Sequence, residues 1–439
     1  MLQDTVHEVP IAIIGCGASG TLLAWNLARR HGIRATVIDA ARQPALGLAY
    51  ATPCMSHLLN VRSSGMSAID GEPDHFIDWL RRNIDPHSSP DDFAPRAIFG
   101  RYLSSLHNEA APLHHHAEVL SCRADNGDYR LALSDGATLR ARQVVLATGN
   151  FDPPPLPAVD PAAGRDGIYH HNAWDHAFYE TVDPQAAIVL IGTGLTTVDV
   201  ITRLRDAGHR GPLTALSRRG WFPTRHADTP LPKHDRPAVG SDALPTARAY
   251  LAAFRKTLKH GVALLPAIDS LRATSNDLWL RLPPTEQKRF RRHLQRRWDI
   301  LRHRMAPSVA DQIDAMRAAG RLRIVNGHVN RIAVHDGQAC IVYRAGDRET
   351  TLLADHVVNC TGPDQNYRRV ASPLFRDLMD CHLIAPGPLG NGLSCDAEGR
   401  LCDGMFAVGP ARLGTLFESI AIPEIRAQTA ALADRLARA

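Results

Sequence analysis

Three glycines, Gly15, Gly17 and Gly20, are spaced G-x-G-x-x-G between an apolar run, Val9-Pro-Ile-Ala-Ile-Ile14, and a segment whose apolar residues recur at helical spacing, residues 21–30. Strand, tight turn, helix is the order that a pyrophosphate needs. The glycines let the backbone turn sharply and approach the phosphates, and the positive end of the helix favours their charge. Ser19 lies in the same turn and is grouped with them. Asp39 closes the next strand, 35–38, about twenty residues on, where a carboxylate accepts from the ribose hydroxyls of an adenosine. A second turn, Gly192-Thr-Gly194, follows the apolar run 187–191, with Thr197 in place of the third glycine. Its second strand, 213–216, ends in Ser217-Arg218-Arg219-Gly220. Two guanidiniums where the first unit has a carboxylate suit a 2′-phosphate, as in NADP.

Each turn belongs to a larger pattern. After the first βαβ unit, residues 44–118 read as loop and helix, with periodic stretches at 75–82 and 98–110. Period-two alternation with turns at Asp125-Asn-Gly and Ser134-Asp-Gly predicts a meander over 117–146, ending in Ala147-Thr148-Gly149. Prolines at 153–157 mark a linker. After the second βαβ unit come a Pro-rich loop and a helical region, about 222–318. A second meander, 322–353, leads to Cys360-Thr361-Gly362, with Gly362 grouped with the nucleotide-binding residues. A short strand at 405–410 contains Gly409, and a closing helix is expected over 423–438. The succession of strand, Gly-rich turn, helix, strand, meander and Thr-Gly thus occurs twice. The fold class is α/β: two Rossmann-like dinucleotide-binding domains with β-meander segments and a helical insertion. The expected boundaries are 1–160 with 354–439 for the first domain and 161–353 for the second.

Composition bounds the rest. The 439 residues carry 50 Lys+Arg against 45 Asp+Glu, a formal charge of +5, with 44% hydrophobic and 22% charged residues. This is the balance of a globular protein, not of a disordered tail or a disulfide-stapled miniprotein. No apolar run approaches the roughly 18–20 residues of a membrane span. With only short polar sequence before the first strand, no secretory signal is expected. Lysine occurs only at positions 233, 256, 259 and 288. The Arg, Ala, Gly and Pro usage suits a GC-rich, bacterial genome. Eight cysteines without a C-x-x-C or zinc spacing suit reduced thiols in a cytoplasm.

On further stretches the chain resembles the bacterial FAD/NAD(P)-binding family of two-dinucleotide-binding-domain flavoproteins, relatives of class B flavin monooxygenases and N-hydroxylating monooxygenases. These stretches are Ala49-Tyr50, His57-Leu-Leu-Asn-Val61, Pro95-Arg-x-x-Phe-Gly-Arg-Tyr102, Ile191-Gly-Thr-Gly-Leu-Thr196, Ser217-Arg-Arg-Gly220, Trp298-Asp-Ile-Leu-Arg-His-Arg304 and Phe417-Glu-Ser-Ile-Ala-Ile-Pro-Glu-Ile-Arg426. The resemblance spans essentially the whole chain. It implies FAD on the first fold, held by Gly15, Gly17, Gly20 and Asp39 with Thr148 and Gly149 beside it. Such flavoproteins end their last strand in Gly-Asp, whereas Gly409 is followed by Pro410. The flavin would then be held by backbone groups there, or by the helix after Pro423.

The same relatives carry a linker of form F-x-G-x-x-x-H-x-x-x-W. Here Gly167 to His171 fits the first spacing and His170 to Trp174 the second, with Arg165 in place of Phe. His171 is therefore a candidate, against a linker whose His and Trp merely pack. Asn60 is placed like the Asn that bonds reduced-flavin oxygen adducts, against a simple structural turn. Arg302, one turn beyond Trp298 in the Arg-rich 288–304 segment, is a candidate anchor for a substrate carboxylate or an NADPH phosphate. His114-His-His116 reads as a solvated helix end. The expected function is an FAD-dependent, NADPH-using oxidoreductase, a monooxygenase of nitrogen or sulfur in a small molecule, with molecular oxygen as co-substrate and neither a metal nor a membrane involved. The alternatives are a dehydrogenase or oxidase without oxygen transfer, and a non-catalytic FAD-loaded protein binding RNA or a protein through the Arg-rich helix. The mild net charge does not itself argue for nucleic acid.

Overall fold

The computed structural model describes residues 6–156 and 158–438. The β-branched run of the N-terminus forms the central strand Val6–Ile14 of an eight-stranded sheet. Its second half, Ile11–Ile14, is buried on both faces and needs no polar alternation. It pairs in parallel with Thr36–Ile38 on one side and Thr138–Leu146 on the other. Met405–Ala407 continues the sheet beyond Thr138–Leu146, also in parallel. On the opposite edge lies Leu113–His115, parallel to Thr36–Ile38. The histidine triplet therefore contributes to an edge strand and is not a helix end; Arg96–Ala110 stops at Ala111, whose φ of +42° breaks the helical path. The expected meander is present as Val119–Asp125, Asp128–Leu133 and Thr138–Leu146.

A second sheet of five parallel strands runs in the order Leu322–Asn326, Leu213–Ser217, Ile188–Ile191, His356–Asn359, Tyr169–His170. Its composition corrects two expectations. Leu322–Asn326 is a parallel strand of this sheet, and the second meander proper is the separate antiparallel trio His328–His335, Gln338–Ala345 and Arg348–Ala354. His356–Asn359 also sits inside this sheet, so a boundary at 353/354 would cut it. Strand pairing thus agrees with the order of motifs in assigning the Thr361-Gly362 turn to the second fold.

The insertion is helical as expected: Ala247–Lys259, Leu264–Asp269, Ser275–Arg281, Pro284–His293, Gln295–Arg302 and Pro307–Ala318. The Arg-rich stretch is two helices and not one, broken at Leu294. The final helix, Ile422–Leu436, packs along Ala18–His31 of the first fold. No described helix is long and apolar enough to cross a membrane, and all eight cysteines are unpaired.

Candidate functional site

Gly15 leaves the central strand with φ +103°, and a Cβ there would lie 2.5 Å from the carbonyl oxygen of Ala147. Only glycine lets the Thr148-Gly149 turn close against this loop. Gly20 allows the helix to sit directly on the strand, because a Cβ would collide with the Gly15 carbonyl. Gly17 begins the helix Ala18–His31 without a side-chain cap and without an acidic residue in the first turn. Its first amides are thus open donors at the positive end of a helix. Asp39 ends the neighbouring strand; its carboxylate accepts from the amides of Cys16 and Ala41, the latter at 2.7 Å, and remains half exposed. This donor set and carboxylate fit the pyrophosphate and adenosine half of FAD. Cys16 itself is buried, which pushes its thiol up to about 11.

The far side of this loop corrects the expectation for Gly409. Its φ is +70°, and Ser19 occupies the space a Cβ would need. Its amide donates to Oε1 of Gln428 at 2.9 Å, and its carbonyl accepts from Ser419 Oγ at 2.6 Å. Its amide, the one donor here, is taken by the chain, so Gly409 packs against the loop and has no free N–H to donate to a flavin. The start of the Ile422–Leu436 helix remains, again without a side-chain cap.

The second loop repeats the first. Gly192 has φ +132°, and a Cβ there would meet the carbonyl of Cys360, just before Thr361-Gly362. Gly194 starts the uncapped helix Leu195–Asp206. Ser217 braces this loop: its Oγ lies 2.8 Å from Thr193 Oγ1 and accepts from the Gly220 amide at 3.0 Å. Arg296, from the insertion, donates to the carbonyl and hydroxyl of Thr193 at 3.0 and 3.1 Å and to the Trp221 carbonyl. Arg218 and Arg219 are exposed, with no ion-pair partner among the described residues. The Arg219 guanidinium stands 5.1 Å from the Trp221 ring, whose centre is also 5.6 Å from that of Arg297.

Beside the second loop, where the two folds meet, lies a cavity of about 310 Å³. The first fold lines it with Tyr50, Asn60 and Arg96, the second with Gly194 and Leu195, the insertion with Arg296, Asp299 and His303, and the final helix with Ile420–Ile422. Asn60 thus reaches the junction: its carbonyl accepts from His226 at 3.0 Å, while its side chain has no hydrogen-bond partner among the described residues. Burial pushes Asp299 up to about 6, and its carboxylate likewise lacks a partner. Burial, helped by Arg302, holds His303 down at about 4.

The two folds are clamped beside this cavity. Arg96 donates to both carboxylate oxygens of Asp199 at 2.7 and 3.0 Å, and buried His57 bridges Thr52 at 2.8 Å and the Asp199 carbonyl at 2.9 Å. The His57–Val61 and Pro95–Tyr102 stretches therefore carry the join between folds.

Two expected residues lie elsewhere. Arg302 is buried against Glu418, its Nη2 3.3 Å from that carboxylate, which also accepts from Trp298 at 3.1 Å. With its charge matched inside the protein, it is not a free anion anchor. Other arginines of the segment are similarly engaged, Arg304 with Asp269 and Arg291 with Asn391, while Lys288, Arg292 and Arg297 are exposed. His171 sits in the linker, 3.4 Å from the Tyr169 hydroxyl, and does not line the cavity. Asp299, His303, Arg96 and Arg296 were missed as site residues. The helical spacing of 296, 299 and 303 was available in the sequence, but not which side of the helix meets the loops.

Two glycine loops, each leading from a parallel strand into an uncapped helix, define a two-dinucleotide-binding fold. Residues 12–151 match the FAD-NAD(P)-binding family, and the chain carries an FAD/NAD(P)-binding domain. No curated protein is a significant match in sequence. Among solved structures, the chain is similar to the cadaverine monooxygenase DfoA of Erwinia amylovora, with a TM-score of 0.69 at 14% identity, covering 98% of this chain and 94% of that one. It is similar to the ornithine N-hydroxylase KtzI of Kutzneria sp. 744, TM-score 0.68 at 14% identity, covering 98% and 99%. The bacillithiol disulfide reductase Bdr of Bacillus cereus gives 0.60 at 14% identity over 98% and 99%. These likenesses establish the fold, two dinucleotide-binding units over the whole chain.

Proposed function

We propose that the chain is an FAD-dependent, NADPH-using oxidoreductase, and specifically a monooxygenase acting on nitrogen or sulfur of a small molecule. The observation that carries this reading is the cavity at the junction of the two folds, lined by Asn60 of the first and Gly194 of the second. FAD on the first fold would accept hydride from NADPH and, once reduced, react with oxygen. The chain's own residues bind, orient and exclude. Gly17 and the helix it starts would hold the pyrophosphate, Asp39 the ribose, and the start of the Ile422–Leu436 helix the polar edge of the flavin. Gly194 and its helix would take the NADPH pyrophosphate, and Arg218 and Arg219 the 2′-phosphate. The Asn60 amide is free to donate to an oxygen atom in the cavity. Asp299, neutral below about pH 6, can hold or release a proton there. The structural likeness to two amine monooxygenases supports oxygen transfer.

The test is anaerobic mixing of the FAD-loaded protein with NADPH and, separately, NADH, following the oxidised-flavin band. Bleaching that is faster with NADPH is expected. Oxygen is then admitted with panels of amines and thioethers, and oxygen-18 incorporation is measured. Bleaching followed by peroxide release without incorporation would make the protein an oxidase or dehydrogenase. No bleaching by either nucleotide would overturn the enzymatic reading.

A further inference from the structure

We infer that the helical insertion holds a second ligand site, an apolar chamber that takes an amphipathic carboxylate: an aliphatic or aryl body with one negative head group. The chamber has a volume of about 340 Å³, within the range of small-molecule pockets. Its walls include Phe254, Leu271, Leu278, Trp279, Phe290 and Phe417. Trp279 stacks on Phe417 with ring centres 5.0 Å apart, and Phe290 meets Phe417 edge-on at 5.4 Å. Polar groups in the wall are satisfied internally. The Tyr250 hydroxyl donates to the Leu278 carbonyl at 3.1 Å, Ser275 to the Arg272 carbonyl at 3.2 Å, and Trp298 Nε1 to Glu418 at 3.1 Å. No aspartate or glutamate lines the chamber.

Two cations remain, Arg255 and Arg297, both exposed and both without an ion-pair partner among the described residues, the Arg297 guanidinium also lying 5.6 Å from the Trp221 ring outside the chamber. An apolar body gains by leaving water for such walls. An amine would be repelled by the two guanidiniums, and a neutral molecule would forgo them, whereas a carboxylate meets their fork geometry. The chamber is distinct from the cavity beside the second glycine loop. Arg297, Trp298 and Leu301 of the Gln295–Arg302 helix line the chamber, while Arg296 and Asp299 line the other cavity. This eight-residue helix is thus a partition between them. The chamber does not depend on the reaction proposed above.

Titration of the FAD-loaded protein with decanoate, decanol and decylamine, by calorimetry and tryptophan fluorescence, tests the assignment. Decanoate is expected to saturate at one per chain and to bind about tenfold more tightly than decanol, the effect of one charge-assisted contact. Decylamine should not compete. Arg255→Ala and Arg297→Ala should each remove most of the preference for decanoate and leave decanol affinity unchanged. Leu251→Trp, which fills the chamber, should abolish binding of both; if that variant fails to fold, the selectivity of the unaltered protein decides. Equal affinity for decylamine, unsaturable uptake, or dimerisation through this lobe with no decanoate bound would overturn the proposal.

Discussion

At Asp299, burial and the lack of a hydrogen-bonding partner both favour the neutral carboxyl, which holds its pKa near 6 against the nearby positive charge of Arg296. A carboxyl that binds its proton more tightly in the folded chain stabilises the fold most below the ordinary carboxylate range, and that stabilisation is lost as pH rises through about 6. Asp299→Asn cannot ionise. Its melting temperature should therefore gain on the parent's between about pH 4 and pH 6 and keep that gain at higher pH, as differential scanning fluorimetry would record. If the carboxyl also handles a proton during turnover, the same variant should lose the step near pH 6 in the kcat profile. The exposed arginines give a second expectation at this scale. Arg219→Ala should raise the KM for NADPH about tenfold or more and leave that for NADH nearly unchanged, since only the 2′-phosphate contact is removed. Steady-state kinetics with both nucleotides separates the two. The glycine spacing and Asp39 were legible in the sequence because their chemistry is local, within one βαβ unit. Arg302 was not, because its partner Glu418 lies 116 residues away. Gly409 likewise becomes intelligible only once Gln428 and Ser419 fold back onto it.

Elements were legible where one period dominates, as in the central strand, the first meander and the helices after each glycine loop. They were not where pairing decides. Leu322–Asn326 has the alternation of a meander strand, yet pairs in parallel with Leu213–Ser217. The 288–304 stretch lacks a proline or glycine to mark the break at Leu294, so it reads as one helix. Contact between strand and helix in the first unit gives a sharp test. Gly20→Ala places a methyl group against the Gly15 carbonyl and must push the helix off the strand. The expected cost is about 1–3 kcal/mol, typical of an overpacked core, together with loss of flavin on purification. Urea unfolding and the visible absorbance of the purified protein report the two effects.

Across the whole molecule, the Arg96–Asp199 pair is the ion pair of the join between the folds, beside the His57–Asp199 and His226–Asn60 hydrogen bonds. Its side chains are only 15% and 9% exposed, so removing one partner leaves a charge buried with its counter-ion gone. Arg96→Ala should destabilise by about 3–5 kcal/mol, while replacing both partners with apolar residues of similar size should recover much of that loss. Chemical denaturation of the single and double variants distinguishes a clamp from an incidental contact. Limited proteolysis should also open the 150s linker in the single variant first.

The first fold also contains Met405–Ala407 as a sheet strand and Ile422–Leu436 along its first helix, with Asn26 reaching Thr429 and Arg30 reaching Asp434. A ribosome that has delivered only the first four hundred or so residues has therefore made the whole glycine loop but not the pieces that cover it. Apolar faces around Leu23 and Leu27, buried against Leu432 and Ala433 in the finished protein, stay open throughout synthesis of the second fold. Non-local closure of this kind is slow and exposes the nascent chain to aggregation. In a cell, flavin capture and chaperone release should coincide, both waiting on the same late helix.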